Sequence, residues 1–297
     1  MLPDAKASRY FKFSIDDVDS IPQINRTFLV PPSGIRRAYE EASFSPLSFE
    51  GISPIKSTKN LPPLGKCCYC GESESVKTAL TDEHIIPEFL GAGLVLPRAT
   101  CAECQRIIQK YESSIATDMF DSVRRSFAIS GKNGRLTKKN FPIDVGRETT
   151  NWEMLSEIEH PTLLTMPSLY PASSFSRCDP MNTMPLGLVI CNVNVSKEKL
   201  TRLGLNSVQT PHIDMVRFAQ FIAKIAHSFA SHCFRDIPFE PILKQLIRTV
   251  YPPGASAEGY LSNVGGTRNS QYTGDLEYLH TIESGTVDWN GARLRTH

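Results

Sequence analysis

Two cysteine knuckles bracket a single histidine between residues 67 and 104, and this pattern restricts the chain more than any other feature. Cys67-Cys68-Tyr69-Cys70 comes first, Thr81-Asp82-Glu83-His84-Ile85-Ile86-Pro87 follows, and Cys101-Ala102-Glu103-Cys104 closes the segment. Two CxxC pairs supply four thiolates, a closed tetrahedral set that zinc fills without an open position. Cys67, Cys70, Cys101 and Cys104 are therefore the expected zinc ligands, and Cys68 is a spare. The gap between the pairs is 30 residues, longer than the about 15–20 of a simple ribbon, which leaves room for a structured hairpin carrying His84. The competing reading is two disulfides. Residues Met1 to Lys6 do not open a signal peptide, and disulfides are rare in reducing compartments, so the metal is favoured and a cytoplasmic protein is expected.

With all four zinc positions taken by sulfur, His84 is free for chemistry, and it stands beside two carboxylates, Asp82 and Glu83. A CxxC, then Glu83-His84-Ile85-Ile86-Pro87-Glu88, a Gly-rich turn, Leu94-Val95-Leu96-Pro97 and a second CxxC resemble the HNH endonucleases of ββα-metal architecture, in the subgroup with four zinc-binding cysteines. The resemblance covers about residues 64–115. It implies a metal-dependent nuclease that hydrolyses DNA or RNA phosphodiester bonds. His84 matches the general base that activates water, and Glu83, or Asp82 beside it, matches the acidic ligand of a catalytic Mg²⁺ or Mn²⁺. The family usually has Asn or His directly after the second CxxC as the last ligand of that cation. Here the residue is Gln105, which offers the same amide oxygen on a longer arm, and Glu112 lies two helical turns further along the same face.

These residue types suit the chemistry. Imidazole titrates near neutrality and can accept a proton from water in the operating range. A Mg²⁺-type cation keeps several waters and needs only one or two protein oxygens.

The remaining sequence sets the frame. The chain has 297 residues, 40% of them hydrophobic and 21% charged, as expected of a globular protein of about two domains. No apolar run is long enough to span a membrane. The net charge of +1 does not by itself announce nucleic acid. Between Arg98 and Lys139, however, nine basic residues face four acidic ones, a local excess of five positive charges that suits phosphate contact or simply a solvated helix face.

The expected fold class is α+β, with a small zinc-stabilised ββα unit and a larger C-terminal α+β domain. Residues 1–63, punctuated by eight prolines, read as an irregular lead-in with a helix only at Ile35–Ala42, either wrapping a domain or serving as a partner-binding arm. Residues 64–130 read as the zinc unit, with strands at Val76–Leu80 and Leu94–Leu96 and a helix from Cys101 to about Ser130. Residues 135–297 read as the second domain. It holds a buried strand at Leu186–Val195, a long apolar helix at Ile213–Cys233, a helix at Phe239–Tyr251 and a hairpin at Tyr278–Leu294. Lys224 and His227 share one face of the long helix and read first as satisfied core polar groups, with a phosphate or partner contact as the rarer case. Cys178, Cys191 and Cys233 lack ligand spacing and read as buried thiols.

Two functions from different classes follow. One is a metal-dependent DNA endonuclease whose C-terminal domain sets target, partner or oligomer. The other is a zinc-held nucleic-acid-binding or regulatory module with a degenerate nuclease centre.

Overall fold

The computed structural model describes residues 10–16, 43–52, 59–90, 93–121, 124, 140–144, 152–156, 159–168, 187–192, 194–211, 214–236, 243–252, 264, 280–289 and 292–296. The elements in chain order are β1 (Tyr10–Ser14), β2 (Ser43–Ile52), β3 (Lys59–Asn60), β4 (Leu80–His84), β5 (Leu94–Cys101), α1 (Ala102–Ser114), β6 (Phe141–Asp144), β7 (Trp152–Leu155), β8 (Leu163–Ser168), β9 (Gly187–Asn192), α2 (Lys197–Arg202), β10 (Ser207–Pro211), α3 (Met215–Cys233), α4 (Lys244–Arg248), β11 (His280–Trp289) and β12 (Ala292–Thr296). The protein is thus of mixed helix and strand. Among the described residues, no helix is long and apolar enough to cross a membrane.

Contacts divide the chain into two compact units that interleave in sequence. One comprises Met1–Leu29, Ser114–Ser168 and Gly187–Ile213. It contains three antiparallel pairs, β1 with β10, β6 with β7 and β8 with β9. Leu163, Val195, Leu200, Leu205 and Val208 form its core, with Ile15 and Ile143 packed against them. Helix α2 begins at Ser196, whose hydroxyl accepts the Lys199 N–H at 3.1 Å, and stops at Gly204, whose φ of +68° an L side chain rarely adopts.

The other unit comprises Val30–Ser113, Leu169–Leu186 and Asp214–His297. Its three-stranded sheet has the order β3-β5-β4, with β3 parallel and β4 antiparallel to β5. Beyond β3 the chain still follows β5: the amides of Leu61, Leu64, Gly65 and Cys68 donate to the carbonyls of Val95, Pro97, Arg98 and Ala99. The first knuckle is thereby delivered to the end of β5, where Cys101 stands. A second sheet in this unit joins β12, β11 and β2, with β11 and β12 paired antiparallel within the stretch expected to be a hairpin. The core gathers Leu61, Ile85, Ile86, Leu94, Leu96, Ala99 and Phe229, so α3 packs directly on the hairpin. Asp214 caps α3 by accepting the Arg217 N–H at 3.1 Å, and the apolar sequence of α3 is matched by eleven buried residues around it.

Several boundaries differ from the sequence reading. The lead-in expected to be irregular supplies β1, β2 and β3 to three separate sheets, because its isolated strands find partners far away in sequence. The strand expected at Val76–Leu80 begins only at Leu80: Val76 is fully exposed, and the polar run Thr81–His84 is held extended by the ladder to β5. Helix α1 ends at Ser114 and passes into a π-turn, Ile115–Met119, rather than running unbroken to Ser130. The helix expected at Phe239–Tyr251 is described only as Lys244–Arg248. The Ile35–Ala42 helix and Cys178 lie outside the described residues.

Candidate metal centre and active site

The two knuckles meet. The Sγ atoms of Cys67, Cys70, Cys101 and Cys104 all lie within 4.8 Å of one another, and Cys70 Sγ is 3.7 Å from Cys101 Sγ. Four sulfurs placed tetrahedrally about zinc at a 2.3 Å bond length stand about 3.8 Å apart, so the spacing fits that ion. Local backbone explains the geometry. The Gly71 N–H donates to the Cys67 carbonyl and the Cys67 N–H to the Glu72 carbonyl, a tight turn that needs the φ of +82° at Gly71. Cys101 ends β5, and Cys104 sits one turn into α1, buried.

The thiol electrostatics ask for a cation. The hydrogen bond from Cys104 holds Cys67 down to about 4, while burial pushes Cys70 up to about 11, and the bond to Cys67 raises Cys104. The Cys67 thiolate forms readily, and Cys70 and Cys104 resist ionising beside it. Cys68 is also driven upward, by burial first and Glu83 second, and so stays a thiol, in keeping with its place outside the cluster. Arg248, at the end of α4, stands near the sulfurs. Burial works against its charge, but Cys104 and Cys70 outweigh that and raise its pKa. A guanidinium there complements the net negative charge of a four-thiolate zinc centre.

The Asp82-Glu83-His84 triplet is split by strand alternation. His84 pairs with Val95, and a bulge lies between Thr81 and Glu83. Glu83 turns inward, 5% exposed, and its Oε2 accepts the Thr100 hydroxyl at 2.6 Å. Asp82 is exposed, and its Oδ1 accepts the Arg98 N–H at 3.2 Å, at a residue whose φ of +52° places that amide in the bulge. His84 is half-exposed, with its Nε2 3.4 Å from Glu88 Oε1.

Glu112 does not join the exposed side. Both Glu83 and Glu112 turn to the ammonium of Lys224, at 2.6 and 3.0 Å, and Lys224 is 1% exposed. The same ammonium donates to the carbonyl oxygens of His84 and Ile85. Burial raises the Glu112 pKa, with Lys224 opposing that effect. The Lys224 pKa is raised: burial opposes its charge, and Glu83 and Glu112 overcome this. Of the acidic residues singled out from sequence, the structure thus brings Glu83 and Glu112 together around a lysine, and leaves Asp82 on the outer side with His84. Gln105 is exposed on the first turn of α1, its Oε1 3.4 Å from the Thr81 hydroxyl. Among the described residues, no second group of three or more His, Cys, Asp or Glu side chains comes together.

Two participants carried little signal in the sequence. Glu88 follows His84 by four residues across a Pro87 turn, a spacing that could have marked it. Lys224 was visible as a polar residue on an apolar helix, but its partners lie far away in sequence.

No protein-family model, no curated protein and no solved structure matches this chain.

Proposed function

We propose that this protein is a zinc-stabilised endonuclease of the HNH type, hydrolysing DNA phosphodiester bonds with His84 as general base. The observation that supports this best is the order β4–β5–α1 clamped by four cysteines, with a half-exposed imidazole at the end of β4 and a carboxylate, Glu88, against it. A base needs an accessible ring held in one orientation by a second group, and His84 with Glu88 meets both needs.

The outer side of the hairpin suits a divalent cation better than the inner side. Glu83 and Glu112 already face an ammonium. Asp82 and Gln105 are exposed, each with oxygen lone pairs to spare, and Mg²⁺ or Mn²⁺ binds with few protein ligands. Such a cation, when bound, neutralises charge that develops on the scissile phosphate. His84 takes the proton of the attacking water, and Glu88 keeps the imidazole in place. Arg106 and Lys110 lie four residues apart on the exposed side of α1, where they suit contacts to the phosphate backbone.

A specific observation favours the second reading, a nucleic-acid-binding or regulatory module. The carboxylate next to the histidine is engaged by Lys224, and the helix residue after the second knuckle is Gln105. One experiment separates the two. Supercoiled plasmid and single-stranded RNA are incubated with the full chain and Mg²⁺ or Mn²⁺, beside His84→Ala. Cleavage lost in His84→Ala with zinc content unchanged supports the nuclease. Cleavage by neither protein, with retention of labelled DNA in a shift assay, moves the assignment to the binding module.

A further inference from the structure

Lys224 sits where four acceptors converge. Its ammonium is within bonding distance of Glu83 Oε1, at 2.6 Å, and Glu112 Oε1, at 3.0 Å, and it donates to the His84 carbonyl, with the Ile85 carbonyl at 3.4 Å. An ammonium has three hydrogens in a tetrahedral arrangement. The His84 carbonyl takes one, and the two carboxylates pair with the same charge. The group is 1% exposed, so water cannot replace any of these partners cheaply. The residue that presents the imidazole outward therefore has its own main chain bonded, from the inner side, to a buried charge on another helix.

We propose that Lys224 is a positioning residue for His84: its ammonium fixes the outer end of β4 and so the direction in which the imidazole leaves the strand. The inference rests on the reading of His84 as the base. A charge-assisted bond to a backbone carbonyl is shorter and stronger than a neutral one. Here it acts on the last residue of the strand, just before the turn through Pro87. The neighbouring bonds reinforce it. Glu83 is tied from its other oxygen to Thr100 on β5, Ile85 donates to the Leu94 carbonyl, and α3 is packed against Ile85 and Ile86 through Phe229 and Ile225. Displacing the ammonium would leave two carboxylates facing each other without a counter-ion, and the chain that carries Glu83 also carries His84.

A second helix-to-hairpin bond lies one turn further along α3, where His227 Nε2 meets the Cys68 carbonyl at 2.8 Å. It holds the knuckle and not the strand end. The two tethers are therefore separable: loss of Lys224 is felt at His84, loss of His227 at the thiol cluster.

The test uses the full chain with Lys224→Met, which keeps length and removes charge. Zinc content and the circular dichroism spectrum establish that the variant is folded. The imidazole resonances of His84, assigned by their absence in His84→Ala, are compared between wild type and Lys224→Met, and kcat and KM for plasmid cleavage are measured in parallel. The expected result is a displaced His84 imidazole signal and a kcat lower by on the order of 10²-fold with KM little changed, the penalty of a reacting group held about 1 Å out of place. Unmoved His84 resonances with kcat within twofold of wild type would overturn the inference while leaving the nuclease reading intact. A wild type that cleaves nothing defeats the nuclease reading, and the resonance comparison alone then decides whether Lys224 orients His84. Should Lys224→Met not fold, the wild-type ammonium signal of ¹⁵N-lysine protein decides: a correlation across the hydrogen bond to the His84 carbonyl carbon supports the anchor, and an ammonium correlated only with carboxyl carbons refutes it.

Discussion

The imidazole of His227 stacks on the ring of Tyr69, with centroids 5.5 Å apart, while its Nε2 lies 2.8 Å from the carbonyl oxygen of Cys68. A carbonyl only accepts, so this nitrogen carries the hydrogen. One helix side chain thus grips the first cysteine knuckle twice. His227 is buried, and burial lowers its pKa against the opposing pull of the Cys68 bond. The unfolded chain therefore takes up this proton more readily than the folded one, and the associated stability is present above about 6.5 and lost as pH falls below it. The unfolding midpoint should drop between pH 7 and pH 5, and His227→Gln should flatten that part of the curve. At pH 7.5, His227→Ala should cost about 1–3 kcal/mol, because it leaves a knuckle carbonyl unpaired. An unchanged pH profile in His227→Gln removes this residue from the account.

Elemental analysis of the purified chain should find one zinc. Cys101→Ser should lose it and unfold the β4–β5 hairpin, since structural zinc contributes folding free energy directly, with apparent binding of about 10–16 kcal/mol in small zinc units. Because Cys70 and Cys104, whose pKa values are raised, must give up protons to bind, zinc affinity should rise with pH, and a chelator should strip the metal faster at pH 6 than at pH 8. Retained zinc in Cys101→Ser would exclude that residue as a ligand.

The divalent requirement of cleavage should respond to the outer residues. Asp82→Asn is expected to raise the Mn²⁺ concentration for half-maximal cleavage, and Gln105→Asn to leave it equal or lower it. Glu112→Gln should change it little, since that carboxylate faces Lys224. The opposite pattern, a strong Glu112→Gln effect with none from Asp82→Asn, would move the cation to the inner side.

Glu88→Gln should reduce the cleavage rate modestly, about two- to fivefold, because the pair with His84 is more than a third exposed and an ion pair there contributes no more than about 1 kcal/mol. A loss as large as that of His84→Ala would mean that Glu88 takes part in the chemistry itself.

What could be read from the chain and what could not follow from range. The four cysteines were legible because thiols are scarce and their CxxC spacing is a local geometric device. The hairpin with His84 was legible because the insert between the knuckles was too long for a plain ribbon. The long apolar helix and the C-terminal hairpin each announced themselves through periodicity within a few turns. Less legible was which way each acid of Asp82-Glu83 points, since one bulge decides it and no propensity scale sees a bulge. The start of β4 was misplaced for a related reason: Val76 has the higher strand propensity, but Thr81–His84 has the partner. The Lys224 contact was beyond reach, because nothing in a helix sequence says which distant carboxylates its lysine will meet.

The His84–Lys224 bond closes across 140 residues, and this separation sets an order of events during synthesis. Ribosomes add about 5–20 residues per second, so Lys224 is made about 6–24 seconds after the second knuckle, Cys104, from which it is 120 residues distant. Over that interval the thiol cluster can load from solution, while Glu83 and Glu112 remain in water, where two carboxylates cost each other little. The late arrival of α3 then supplies the ammonium that both acids pair with. A nascent chain therefore assembles its four-cysteine cluster early and closes the Lys224 bond to the end of β4 last.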